Sequence, residues 1–223
     1  MMGKRKVLLP QPIEREALGI LAANRLDVVT AAEPKPEVVG PLMKDAQAIV
    51  LRTGIKITRE LLACPNDLMM ISRTGAGVDN VDLVAATEKG IIVTSSIGAN
   101  TTSVVEHTLA LILGLFKQLF LMDAEVRRGN FAIRYKNCPT DLRDKTLGIV
   151  GFGRIGSMIA RGCHDLFAMK ILACDALLGD AQKASYRDWV RFTDLAELSR
   201  DSDVISIHTP LTPDTRGMFN RRF

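Results

Sequence analysis

One stretch constrains this chain more than any other: Lys145-Thr146-Leu147-Gly148-Ile149-Val150 running into Gly151-Phe152-Gly153-Arg154-Ile155-Gly156. An apolar run that enters a glycine-rich turn predicts a strand, and a helix is expected to open at about Ser157 and continue to Phe167. Lys170 to Cys174 reads as a second strand ending on Asp175. That acid stands about twenty positions beyond the glycines, where a dinucleotide-binding strand-helix-strand unit places its ribose carboxylate. Glycine spacing alone is weak evidence. Strand, helix, second strand and terminal acid in register make it specific.

Each residue of the turn has a physical task. Gly151 permits the tight turn, Gly153 carries no Cβ to block a pyrophosphate, and Gly156 lets the helix approach the strand. Free N–H groups at the start of the helix, from Arg154 and Ile155 onward, face the phosphate charge. The Asp175 carboxylate can accept both adenosine ribose hydroxyls and repels a 2′-phosphate. Ala176, Leu177 and Leu178 follow it with no arginine among them, so NAD is favoured over NADP. A glycine-rich turn that binds nothing is the plainer alternative.

The first hundred or so residues alternate between the two periodicities. Strands are expected at Val7–Leu9, Asp27–Thr30, Ala46–Leu51, Leu68–Ser72 and Ile91–Thr94, and helices at Ile13–Asn24, Glu37–Lys44, Thr58–Ala63 and Val81–Lys89. Such alternation with short loops implies an α/β fold with a parallel sheet covered on both faces. The apolar content of 47% is rich in valine, isoleucine, leucine and alanine, as such sheets require. Two domains are expected, residues 1–99 and a dinucleotide-binding domain over residues 100–223. The latter adds strands near Trp189–Phe192 and at Val204–Ile207, with a helix from Asp194 to Arg200 between them. Gly217 to Phe223 reads as the onset of another helix.

Between the domains the longest helix is expected, Thr101 to Arg128, with Ser103 and Glu106 at capping-box spacing and Gly129 as its stop. Val105, Leu109, Leu113, Phe116 and Phe120 form one apolar stripe, and Val104, Leu111, Leu115, Leu119 and Met122 an adjoining one. So wide an apolar face wants cover on more than one side. Together with the irregular arm that follows it, this helix is expected to pack against a second copy in a two-fold homodimer.

Other function classes are disfavoured. A net charge of +4 is mild, and the basic clusters (Lys4-Arg5-Lys6, Arg127-Arg128, Arg221-Arg222) are not interleaved with aromatic residues, so no nucleic-acid partner is expected. The longest apolar segment, Thr108 to Phe116, is far short of a membrane span. Cys64, Cys138, Cys163 and Cys174 lie far apart with no CxxC, which predicts reduced thiols in a soluble cytoplasmic protein and no metal site.

Four blocks in order resemble the D-isomer-specific 2-hydroxyacid dehydrogenases. They are Thr74-Gly75-Ala76-Gly77-Val78-Asp79-Asn80, Gly98-Ala99-Asn100 with Val105-Glu106-His107, the glycine turn with Asp175, and His208-Thr209-Pro210-Leu211-Thr212. The resemblance implies a flavodoxin-like substrate domain and a Rossmann NAD-binding domain, a doubly wound parallel sheet, with a cleft between them. It implies hydride transfer between NAD and a small 2-hydroxy or 2-keto acid. It assigns the substrate carboxylate to the backbone N–H groups of Ala76 and Gly77, with Ala76 also near the nicotinamide, and cofactor contacts to Arg154, Ile155, Asp175 and Thr209. Arg52 resembles an arginine that reaches the distal group of the substrate, although Thr53 stands where the family has serine.

In this family an arginine clamps the substrate, and a histidine paired with a glutamate donates the proton. All three lie beyond the block that begins at His208, and the chain stops at Phe223. The Rossmann domain is therefore expected to be incomplete at its C-terminal end, and the chain inactive alone, with no catalytic residue of its own. His107 and Glu106 are expected to serve the helix start, His164 to lie on the Rossmann helix away from its phosphate end, and His208 to be structural. A non-catalytic dinucleotide-binding sensor or interaction protein is the alternative.

Overall fold

The computed structural model describes residues 5–220, which fall into two compact units divided between Asn100 and Thr101. The first unit alternates β1 (Lys6–Leu9), α1 (Arg15–Ala23), β2 (Asp27–Thr30), α2 (Pro36–Met43), β3 (Ala48–Leu51), α3 (Arg59–Ala63), β4 (Met70–Arg73), α4 (Leu83–Glu88) and β5 (Ile92–Ser95). Its strands pair in parallel in the order β2-β1-β3-β4-β5, the flavodoxin-like arrangement. Period-two alternation explains the two-sided core. Leu8, Ile49, Leu51 and Ile71 fill one face with α2, α3 and α4, while Val7, Leu9 and Val50 face the other with Leu18 and Leu21 of α1. Local chemistry sets the helix starts. Pro36 stands at the first position of α2, Thr58 caps α3, and the Asp82 carboxylate accepts from Ala85 N at 2.8 Å to cap α4.

The second unit carries α5 (Thr101–Phe116), α6 (Leu119–Arg127), α7 (Ile133–Lys136), β6 (Thr146–Val150), α8 (Arg154–Phe167), β7 (Lys170–Cys174), α9 (Asp180–Ala184), β8 (Val190–Phe192), α10 (Leu195–Asp201) and β9 (Val204–Ile207). The parallel order is β8-β7-β6-β9. The chain leaves β6 to one side and later returns to its other side. The switch point of a doubly wound sheet therefore lies at the carboxyl ends of β6 and β9, where ligands bind in such folds. Among the described residues β9 is an edge strand. Val105 and Ile112 of α5 join Ile159, Ala160 and Cys163 of α8 over Leu147 and Ile149 of β6 in one buried cluster.

Several sequence expectations need correction. The long helix is two helices, bent by 63° at Lys117-Gln118, where Gln118 adopts a left-handed backbone (φ 51°). The arm causes the break: Thr140 N donates to the Phe116 carbonyl at 3.0 Å, and Asp141 pairs with Lys117 at 2.5 Å. The Ser103–Glu106 capping box does not form. The helical backbone already begins at Thr101, so Ser103 lies inside the first turn and cannot be the cap, and Glu106 is simply exposed. The Rossmann helix opens at Arg154, not near Ser157, with Gly153 as its N-cap. Two short helices, α7 in the arm and α9 after Asp175, stand where irregular chain is expected. At the end, Gly217 has φ +72°, which a right-handed helix cannot use, and the segment to Asn220 is turn and bend. The last three positions of that expectation, and the basic residues Lys4, Arg221 and Arg222, lie outside the described residues. No single helix among the described residues is long and apolar enough to cross a membrane; only α5 and α6 taken together reach that length.

Candidate functional site

At the carboxyl end of β6 the backbone reverses at Gly151 (φ +91°), whose N–H donates to the Cys174 carbonyl at 2.9 Å. A Cβ at Gly151 would stand 2.8 Å from the carbonyl carbon of His208 and 2.9 Å from Thr209 N, so β9's exit is packed directly on the turn. At Gly156 a Cβ would stand 2.2 Å from Gly151 O. That closeness is how α8 comes to rest on the strand. Gly153 differs, because a Cβ there would meet nothing within 4 Å. The first helical hydrogen bond runs from Ser157 N to Gly153 O, and the N–H groups of Arg154, Ile155 and Gly156 donate to no acceptor among the described residues. Open space before three unpaired donors at a helix N-terminus suits a pyrophosphate.

Asp175 ends β7 beside this turn. Its Oδ2 accepts from Phe152 N at 2.7 Å, and its Oδ1 accepts from Leu177 N at 2.8 Å and Leu178 N at 2.9 Å. Three of a carboxylate's roughly four acceptor sites are thus engaged by backbone. The residue expected to read the ribose also staples the turn to the following loop, a role the sequence does not reveal. Phe152, buried, anchors the turn from beneath, with ring centroids 5.0 Å from Tyr186 and 5.2 Å from Phe192. Half-buried Thr209 follows His208, whose Nε2 lies 2.8 Å from Ser206 Oγ. Burial pushes the His208 imidazole below its usual pKa, so it stands neutral at pH 7. Burial, and then the Asp175 carboxylate, push the Cys174 thiol up and keep it protonated.

In the first unit, β3 and β4 deliver Arg52 and Thr74 to the carboxyl edge of their sheet. Ala76 and Gly77 are exposed, and the N–H groups of Gly75, Ala76 and Gly77 find no acceptor among the described residues. Arg52 is engaged elsewhere: its Nη1 donates to Pro12 O at 2.9 Å and lies 3.3 Å from Glu14 Oε1. Beneath the loop, Arg73 Nε donates to Asn80 Oδ1 at 3.0 Å, and Asn80 Nδ2 donates to the carbonyls of Arg52 and Ile55. Arg73 is a buried polar residue that sequence reasoning misses here, and Asn80, quoted only as the end of a motif, turns out to be buried and to hold it.

The other histidines stand apart from these features. His107 is exposed on α5, and His164 on α8 lies against Trp189 with ring centroids 5.3 Å apart. A wide groove lined by His164, Lys170, Lys183, Arg187 and Trp189 opens at the amino ends of β7 and β8. Parallel α/β sheets bind ligands at the opposite end, so it is not the site.

A family model described as "D-isomer specific 2-hydroxyacid dehydrogenase, NAD binding domain" matches residues 109–223. Among curated proteins, a D-3-phosphoglycerate dehydrogenase of Archaeoglobus fulgidus is 35% identical over 217 residues, covering 97% of this chain and 40% of that protein. The Homo sapiens D-3-phosphoglycerate dehydrogenase is 34% identical over 216 residues, with the same coverage. The chain thus spans about 40% of the length of these relatives. Among solved structures, a D-lactate dehydrogenase of Aquifex aeolicus complexed with NAD and lactic acid superposes with a TM-score of 0.83 at 31% identity, over 95% of this chain and 62% of that one. An NAD-dependent formate dehydrogenase of Staphylococcus aureus in complex with NAD gives 0.84 at 27% identity, over 98% and 69%.

Proposed function

The chain belongs to the D-isomer-specific 2-hydroxyacid dehydrogenase family, and on that premise we propose how its two units divide the work of an NAD-dependent oxidoreductase. The second unit binds NAD. The first binds the carboxylate of a small 2-hydroxy or 2-keto acid on the Ala76 and Gly77 N–H groups. The observation that carries the reading is the open space at Gly153 before three unpaired helix donors, with Asp175 held beside it. Bound NAD would accept or deliver the hydride. The chain's own residues hold the pyrophosphate, read the ribose and fix the acid. The curated relatives bear the name D-3-phosphoglycerate dehydrogenase, so phosphoglycerate is the first acid to try, before glycerate and glyoxylate. Four cysteines, free among the described residues, fit a reducing cytoplasmic setting. The exposed apolar surface of α5 and α6 fits a homodimer.

Cofactor choice supplies the test. The unmodified chain is expected to bind NAD at least about tenfold more tightly than NADP, a difference of about 1.4 kcal/mol. Asp175→Ser should shrink that preference. Asp175→Asn loses the charge and keeps one acceptor oxygen, enough for Leu177 N and Leu178 N but not for Phe152 N as well, so its melting must be compared with that of Asp175→Ser to separate repulsion of the 2′-phosphate from collapse of the turn. Equal or tighter NADP binding by the unmodified chain would sink the reading.

Turnover is a separate expectation. No histidine of this chain is placed as a proton donor: His107 is solvent-facing, His164 lies against Trp189, and His208 is neutral and tied to Ser206. NADH oxidation with hydroxypyruvate or glyoxylate by the 223-residue chain should stay far below about 1 per second, the lower range of ordinary enzymes. A rate at or above that level would mean that His208 donates the proton after all.

A further inference from the structure

A parallel sheet of the order β2-β1-β3-β4-β5 has its topological switch point between β1 and β3, and ligands enter such sheets at the carboxyl mouth of that crevice. The register Val7↔Ala48 and Leu8↔Ile49, carried on past both strands, sets Gln11 opposite Arg52 at this mouth. The two loops clasp each other there. Gly54 N donates to Gln11 Oε1 at 2.7 Å, and Arg52 Nη1 donates in return to Pro12 O at 2.9 Å. The Gln11 carboxamide lies against Gly54: a Cβ at 54 would stand 2.4 Å from its Cδ and Oε1 and 2.5 Å from its Nε2. Glu14 Oε1 also approaches Nη1, at 3.3 Å, but it is exposed, and such a pair is weak in water. Arg52 Nε and Nη2, side by side on the other edge of the guanidinium, donate no hydrogen bond among the described residues, and neither does Gln11 Nε2. These atoms face water, since no side-chain nitrogen among the described residues is buried without a partner.

A guanidinium held by one nitrogen, with a parallel pair of donors left open, is prepared for bidentate contact with an oxyanion. We propose that Gln11 is a positioning residue for substrate selection. By holding the Gly54 N–H it fixes the loop that carries Arg52, and so presents the Nε–Nη2 edge to an oxyanion at the far end of a 2-hydroxy acid. The inference rests on the reading of the first unit as the acid-binding one and of Arg52 as the arginine that reaches the distal group. It adds what holds that arginine ready. Without the Gln11 acceptor the Gly54 N–H turns to water at little cost to the fold, because Gly54 is exposed. What is lost is the orientation of the guanidinium, whose ordering then falls on the ligand.

The test is an NMR titration of the isotope-labelled 223-residue chain, read at Arg52 Nε–H and the Gly54 amide. D-3-phosphoglycerate carries a distal phosphate, D-malate a distal carboxylate and D-glycerate a neutral hydroxyl. Arg52 Nε–H should shift saturably with a distal oxyanion, bound about tenfold more tightly than D-glycerate, the worth of one charge-assisted interaction. The acid that evokes the stronger response names the oxyanion. Gln11→Met should cut the preference to about twofold, with D-glycerate affinity, NAD affinity and melting temperature unchanged. Gln11→Glu keeps an acceptor for Gly54 N and should restore most of the preference, which loss of a mere surface side chain would not explain. A preference that survives Gln11→Met overturns the proposal and leaves the acid-binding reading standing, as does a parent that binds all three acids alike. A parent that binds none of them overturns both. Should Gln11→Met fail to fold, Gly54→Ala takes its place, because its methyl group displaces the Gln11 carboxamide from the other side.

Discussion

Replacing Gly156 with valine should abolish saturable NAD binding and cost the second unit about 3 kcal/mol, the upper part of the range for overpacking. A Cβ at this position would stand 2.2 Å from Gly151 O, 3.0 Å from Ile149 Cγ2 and 3.3 Å from the Gly151 carbonyl carbon. The main obstacle is backbone, and backbone that cannot give. Gly151 is held by its left-handed φ, by its bond to the Cys174 carbonyl and by the His208 main chain against its face. So α8 must move away, carrying the N–H groups of Arg154 and Ile155 with it. Thermal unfolding should begin about 10 °C lower. Gly153→Ala makes the control, because its Cβ meets nothing. That variant should melt like the parent and still bind NAD about tenfold more weakly, the methyl group intruding on the pyrophosphate. A Gly156→Val variant that melts and binds like the parent would mean that the helix does not rest on the turn.

The contrast between these two glycines also marks what could be read from sequence. The glycine spacing and the acid at Asp175 are local signals, and strands β1 to β9 were legible because short apolar runs alternate with turn residues. Parallel order then followed from the alternation of strand and helix. What escaped was set by residues distant in sequence. Lys117-Gln118 contains neither glycine nor proline, so nothing local announces a break; the carbonyl of Phe116 is taken by Thr140, and Lys117 by Asp141. Phe152 looks like a filler between glycines, yet its ring is gripped by Tyr186 and Phe192, more than thirty positions on. Asp175 was legible as an acid at the right distance but not as a staple for Phe152, 23 positions earlier. Arg73 was invisible for a simpler reason. Strand patterns count apolar residues, and a charged residue at a strand end reads as solvent-facing unless Asn80 and Gly75 are known to enclose it.

The bend at Gln118 bears on assembly, because it leaves apolar surface on both helices instead of along one rod. Leu111 and Leu115 on α5 are 51% and 65% exposed, and Leu119 and Phe120 on α6 are 52% and 81% exposed. Phe131 and Tyr135 in the arm add more, at 62% and 76%. Scattered apolar side chains are ordinary on a monomer, but six large ones on two successive helices and the arm that follows them fit an interaction surface. With a second copy as the occupant, the parent chain should scatter light as a dimer of 24.4 kDa subunits at concentrations on the order of ten micromolar. Leu115→Asp combined with Phe120→Asp would bury two unpaired carboxylates in the seam and their symmetry mates with them. Each costs several kcal/mol, so the dissociation constant should rise by about a thousandfold or more and the variant should run as a monomer. Both side chains are exposed within one chain, so the fold and NAD binding should survive, with stability changed by only about 0.5 kcal/mol. A parent that is monomeric at that concentration would refute the homodimer, and a double variant that stays dimeric would place the subunit contact elsewhere.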